Sequence, residues 1–264
     1  MKINSRYLGA VIIAPTLIFL FLGGMPLKIF TFLLSLVGMH EFYRALKKSD
    51  FLPIEFIGYA LLVVYYLFNN DLEKLSIIII IGTFLLLLVP IIDLKYNFVG
   101  GWLTLLGFIY AGVFMSFIYL VSNKAQGNFY VWLIFIGSWV TDSCAYYAGK
   151  YLGKNKLCPK ISPKKTVEGS IGGLFGAVII CGIFGIVINN YISTFPIYHF
   201  FIIGGLCGIF SQFGDLVASS IKRYVDIKDY GNLIPGHGGI LDRFDSILFS
   251  GVIVFFYLRF IIGI

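Results

Sequence analysis

The stretch from Ser211 to Ser246, SQFGDLVASSIKRYVDIKDYGNLIPGHGGILDRFDS, holds five aspartates, four cations and one of the chain's three histidines around a Pro-Gly-His-Gly-Gly turn, and strongly apolar segments flank it. Mixed charge among glycines at a membrane boundary is what the handling of phosphate and of a divalent cation requires. Ser211, Asp215 and Ser219 follow at steps of four, Lys222 comes three later and Gln212 stands three before Asp215, so a helix puts all five on one face. Lipid cannot solvate such a stripe. Asp242, Asp245 and Ser246 also share a helical face. The helix dipole alone favours acids at an N-terminus, but it does not account for Asp215 opposite them on another helix. Carboxylates arriving from different helices offer oxygen only, the donor set of Mg²⁺. Gly236, Gly238 and Gly239 let backbone N–H groups come close to phosphate. No GxxxxGK[ST] loop is present, which excludes a Walker-type NTPase.

Two further groups lie upstream. Thr141, Asp142 and Tyr146 sit in an apolar segment, where a charged carboxylate costs roughly 2.5–3.5 kcal/mol. Asp142 and Tyr146 are four apart and share a face, expected to turn into the bundle. Either a hydrogen bond to a neighbouring helix or a place in the site satisfies Asp142. The loop that follows sets Lys150, Lys154, Lys156, Lys160, Lys164 and Lys165 against Glu168 alone. Such a run serves attraction to anionic lipid, at roughly 1 kcal/mol per cation. Its ending, where Ser162 and Pro163 fix a turn and Thr166, Glu168 and Ser170 lead into the next helix, also suits an anion site. Glu41 and Arg44, with Lys47 and Lys48, close an earlier span and read as a solvated helix end, with contact to lipid phosphate as the other reading.

The elements that must position these groups are membrane helices. Of the 264 residues 59% are hydrophobic and 12% charged, too apolar for a soluble globule. About nine segments approach the roughly 20 residues needed to cross a bilayer: 7–24, 26–45, 52–69, 74–92, 100–121, 129–149, 171–190, 197–219 and 242–262. The expected architecture is all-α, a single integral membrane domain over 1–264, with 1–128 a helical scaffold and 129–264 the catalytic half. The net charge of +7 does not point to nucleic acid, because the cations form no soluble face. With a cytoplasmic N-terminus, 16 of the 20 lysines and arginines fall on or beside the cytoplasmic side, leaving Lys28, Lys74, Lys124 and Arg259 opposite. The first apolar run is too long for a signal peptide and has no A-x-A site, so it reads as an uncleaved helix. Pro15 and Pro90 are expected to kink or end helices. Cys144, Cys158, Cys181 and Cys207 show no metal spacing and read as small apolar fillers.

With Ser219, Lys222, Arg223, Lys228, Asp229, Gly231, Ile234, Pro235, His237, Gly238, Gly239, Ile240, Asp242, Arg243, Phe244 and Asp245 in place, the run 219–245 resembles the signature of the phosphatidate cytidylyltransferases, the CDP-diacylglycerol synthases, without a mismatch over 27 positions. The segments DSCAY at 142–146 and SPKKTVEG at 162–169 also resemble family motifs, with Val167 and Cys144 as small departures. The first half resembles the family only in hydropathy and length. The resemblance implies transfer of a cytidylyl group from CTP to phosphatidate, giving CDP-diacylglycerol and pyrophosphate, with Mg²⁺ as cofactor and a homodimer as assembly. It makes Asp215 and Asp242 the first metal ligands, with Asp245 or Asp142 in support. Lys222, Arg223, Lys228 and Arg243 would screen the CTP phosphates and the leaving pyrophosphate. Lys164 and Lys165 would hold one of the two substrates, and Thr166, Glu168, Ser219, Gly238 and Gly239 would complete the binding surface. Asp229 joins the catalytic group, and His237 serves as a phosphate or turn contact sooner than as a base. The site is expected to open to the cytoplasmic side of a bacterial inner membrane. A cation- or proton-coupled transporter is the other reading that Asp142 and Asp215 allow; against it stand the absence of an internal repeat and the clustering of charge at the boundary.

Overall fold

The computed structural model describes residues 17–192, 195–233 and 238–264. It is almost wholly helical. A helical segment over 17–22 breaks at Gly23 and Gly24, whose φ values of 58° and 51° suit glycine, and α1 follows over Gly24–Lys47. Then come α2 (Glu55–Leu67), α3 (Leu72–Ile92), α4 (Phe98–Ser122, with a π turn at Phe108–Val113), α5 (Gly127–Leu152), α6 (Val167–Asn189), α7 (Tyr198–Tyr224) and α8 (Leu241–Ile262). Between α5 and α6 lie the short strands β1 (Lys156–Cys158) and β2 (Ser162–Thr166).

Among the described residues, six helices are long and apolar enough to cross a membrane: α1, α3, α4, α6, α7 and α8. With 13 residues α2 is shorter, about 20 Å at 1.5 Å per residue, and α5, with 26 residues, is not one of the six. Most of the expected first span, with Pro15, lies outside the described residues. Pro90 stands in the last turn of α3, which ends two residues later.

By internal packing the chain divides into two units, one made of the described residues of Met1–Ser116 with Tyr224–Arg243, the other of Phe117–Arg223 with Phe244–Ile264. In the first, Phe42, Leu62 and Phe108 are buried, and polar groups pair inside that core. Tyr43 donates its hydroxyl to the Thr104 carbonyl at 2.7 Å, and Tyr65 meets Ser116 Oγ at 3.1 Å. Lys28 Nζ donates to Asn69 Oδ1 at 2.7 Å. In the second, Ile134, Phe135, Phe200 and the thiols Cys181 and Cys207 are buried, and Ser138 donates to Ser250 at 2.9 Å. Small residues bring backbones together here. A Cβ on Gly173 of α6 would lie 2.8 Å from the Thr141 carbonyl of α5, and one on Gly176 would lie 2.5 Å from Cys144 Sγ.

Candidate active site

In the second unit the site is built around the β1–β2 hairpin, which replaces the expected open loop. Lys156 pairs with Thr166 and Cys158 with Ser162 in antiparallel register. Glu168, in the first turn of α6, ties the hairpin down by accepting from the Lys154 N–H at 3.0 Å, the Asn155 N–H at 3.2 Å and the Asn155 side-chain amide at 2.8 Å. Thr166 caps α6, its Oγ1 accepting the Gly169 N–H at 3.1 Å. The hairpin thus carries Lys165 onto α7, where its ammonium forms an ion pair with Asp215. Ser219, one turn on, donates to Asp215 Oδ1 at 3.4 Å. Asp245 on α8 is buried, and Asp215, Lys222 and Asp142 all lie within electrostatic reach of it. Arg223 Nε donates to the Ile161 carbonyl at 3.4 Å, while Lys164 is exposed.

One expectation changes here. Asp142 and Tyr146 do not turn into a packed interior; both are exposed along α5, although Asp142 stays near enough to act on Asp245. Along the stripe on α7 the polar groups find different partners. Gln212 donates back to the Gly208 carbonyl at 2.7 Å and to the Ser170 carbonyl at 3.1 Å, whereas Ser211 Oγ is buried with no hydrogen-bond partner among the described residues. Gly204 and Gly208 on the same helix are a close-packing device: a Cβ at Gly204 would stand 2.5 Å from the Ala177 carbonyl.

In the first unit the segment leading into α8 closes on two carboxylates. Asp242 Oδ2 accepts the N–H of Tyr230 at 2.8 Å and of Gly239 at 2.9 Å. Gly238 has φ +82°, and a Cβ there would also meet Asp242 Oδ2 at 2.8 Å, so glycine is required twice over. The second carboxylate is Glu41. Instead of a solvated helix end it is a buried acceptor, taking the N–H of Ile240 and of Leu241. No spacing signal in the sequence links position 41 to position 240. Lys228, Asp229 and Arg243 are exposed. His237 lies outside the described residues, with Ile234, Pro235 and Gly236.

Residues 4–261 match the sequence model of the Cytidylyltransferase family. The chain belongs to that family. Membership reaches well into the N-terminal half, where hydropathy and length alone carried the resemblance. Similar proteins include the Phosphatidate cytidylyltransferase of Bacillus subtilis, 36% identical over 268 residues that cover 98% of each chain. Those of Staphylococcus saprophyticus and Staphylococcus haemolyticus are 35% and 34% identical, over 86% and 87% of this chain and 87% and 88% of theirs. With its apolar helices, this cytidylyltransferase-family chain is an integral membrane protein.

Among the described residues no three His, Cys, Asp or Glu side chains gather into a ready cage for a metal. Magnesium does not need one, since it keeps several waters and takes one or two carboxylates beside substrate phosphates. The cytidylyltransferase-family chain fits that pattern. Asp215 and Asp245 offer hard oxygen donors within each other's field, and the ammonium of Lys165 already stands on Asp215 as a cation would.

Proposed function

We propose that the chain transfers the cytidylyl group of CTP to phosphatidate, leaving CDP-diacylglycerol in the membrane and releasing pyrophosphate. The observation that carries this reading is the match over 98% of both chains to a relative named Phosphatidate cytidylyltransferase. A phosphate oxygen of the lipid attacks the α-phosphorus of CTP, a new P–O bond forms, and the bond to the bridging oxygen of pyrophosphate breaks. That nucleophile is already ionised at neutral pH, so no strong base is needed, and the protein's work is positioning and charge neutralisation. Lys165 exchanges its carboxylate partner for a substrate phosphate, and Lys222 and Arg223 screen the charge that builds on the leaving group. As the family resemblance implies, Asp215 and Asp242, with Asp245 or Asp142 in support, would hold magnesium, which when bound neutralises phosphate charge. The reading includes nine crossings, a cytoplasmic N-terminus, a site open to the cytoplasm of a bacterial cell and a homodimer.

The test is CTP-dependent formation of a cytidylylated lipid by the detergent-purified protein, supplied with phosphatidate, with and without Mg²⁺. Metal-dependent product is expected. A folded sample that makes none from several phosphatidates would overturn the reading, and solute movement in vesicles without CTP consumption would put a transporter in its place.

A further inference from the structure

Glu41 sits in the last two turns of α1, in the half of the chain that the sequence marks only by its hydropathy, yet it is 5% exposed. Oε1 accepts the Ile240 N–H at 3.0 Å and Oε2 the Leu241 N–H at 2.9 Å. The first four N–H groups of a helix have no partner inside it. Glu41 therefore supplies from about 200 positions away what an N-cap side chain supplies locally. The opposing backbone is shaped to receive it. A Cβ on Gly239 would overlap both carboxylate oxygens, and one on Gly231 would stand 2.5 Å from Oε1. Asp242 holds the same segment from its other side through the amides of Tyr230 and Gly239. Between them the two carboxylates engage the amides of 230, 239, 240 and 241, and no single-residue slip of the segment preserves that set.

We propose that Glu41 is a positioning residue for the reaction, fixing the register of the Gly238–Asp242 segment and with it the orientation of the Asp242 carboxylate, without touching substrate. This rests on the reading of the chain as a phosphatidate cytidylyltransferase. Outer groups that orient functional carboxylates typically change activity by about 10–100-fold when replaced.

The experiment uses the full-length, detergent-purified chain as wild type, Glu41→Gln, Glu41→Ala, Gly239→Ala and the double variant Glu41→Ala with Gly239→Ala. It reads kcat and KM for CTP and for phosphatidate, the thermal midpoint, and hydrogen exchange over 238–246. Glu41→Gln keeps one acceptor oxygen and turns the other into a donor. Its kcat is expected to fall roughly 10–100-fold with both KM values unchanged, and the Ile240 and Leu241 amides to exchange faster. Since Glu41→Ala removes the group that a Cβ at 239 would strike, the double variant should lose less than the product of the two single losses. Wild-type kcat and exchange in Glu41→Gln, or losses that multiply, would overturn the proposal, as would a lowered midpoint with unaltered kinetics. If both Glu41 variants fail to fold, Gly231→Ala decides, because its Cβ would strike Glu41 Oε1: a folded protein with lowered kcat and faster exchange at Ile240 and Leu241 supports the proposal, and wild-type kinetics sink it. An inactive wild type would instead sink the cytidylyltransferase reading, while the exchange comparison would still report whether Glu41 holds the segment.

Discussion

Lys165 and Asp215 form an ion pair whose side chains are 25% and 29% exposed, so water reaches both and the pair contributes little to stability. Its position matters more than its strength, because an ammonium resting on a carboxylate competes with any metal for the same oxygens. Lys165→Gln is expected to shift stability by no more than about 0.5 kcal/mol and to lower kcat/KM by roughly tenfold or more. It should also lower the Mg²⁺ concentration needed for half-maximal rate. Rates across a Mg²⁺ series check this; an unchanged or raised requirement would show that the ammonium does not compete. At this scale the sequence was informative where a site lies on one helix. Steps of four on α7 grouped Asp215 with Ser219, and Asp245 follows from the spacing on α8. Which cation meets Asp215 was not legible, since six lysines crowd one segment and only the hairpin's register selects Lys165. Glu41 was illegible for a different reason: a carboxylate among Arg44, Lys47 and Lys48 looks solvated until the amides of Ile240 and Leu241 are found against it.

The hairpin itself was missed because its strands are only three and five residues long and carry lysines where a hydrophobic alternation would have announced them. Its anchors, however, are candidate site residues in the sequence for another reason. Thr166 and Glu168 were expected to contact substrate, and the structure gives both the local task of joining hairpin to α6. Thr166→Ala is therefore expected to cost about 1 kcal/mol, while Thr166→Ser retains the cap. Hydrogen exchange over 154–170 checks it, and protection equal to wild type in the alanine variant would remove the cap from the account. Helix packing offers a sharper contrast. A Cβ at Gly204 would lie 2.5 Å from the Ala177 carbonyl, whereas one at Gly205 would meet Val178 Cγ2 at an ordinary 3.4 Å. Gly204→Ala should destabilise by about 1–3 kcal/mol through overpacking, and Gly205→Ala should be nearly neutral. Equal thermal midpoints for the two would contradict the close approach of α6 and α7. Sequence showed that glycines were there, but not which side of α7 faced α6.

For the whole molecule, hydropathy located the helices well, and six of the described ones are long and apolar enough to cross; whether another helix crosses depends on how polar residues are sheltered as well as on length. The question concentrates on α5. Its 26 residues could span the bilayer, yet with Asp142 and Lys150 in it, it is not among the six helices long and apolar enough to cross. On the proposed topology the charge asymmetry has it cross, with Lys124 before α5 among the few outer cations and Lys154, Lys156 and Lys160 after it among the many inner ones. The proposed reaction asks for the same, since a site that takes CTP has to face the side where CTP is present. Reporter fusions after Lys124 and after Lys160 are expected to report opposite sides, the second cytoplasmic. If both report one side, α5 does not cross, the positive-inside count loses its basis, and Lys165 and Asp215 can no longer be assigned to the cytoplasmic face on the strength of charge.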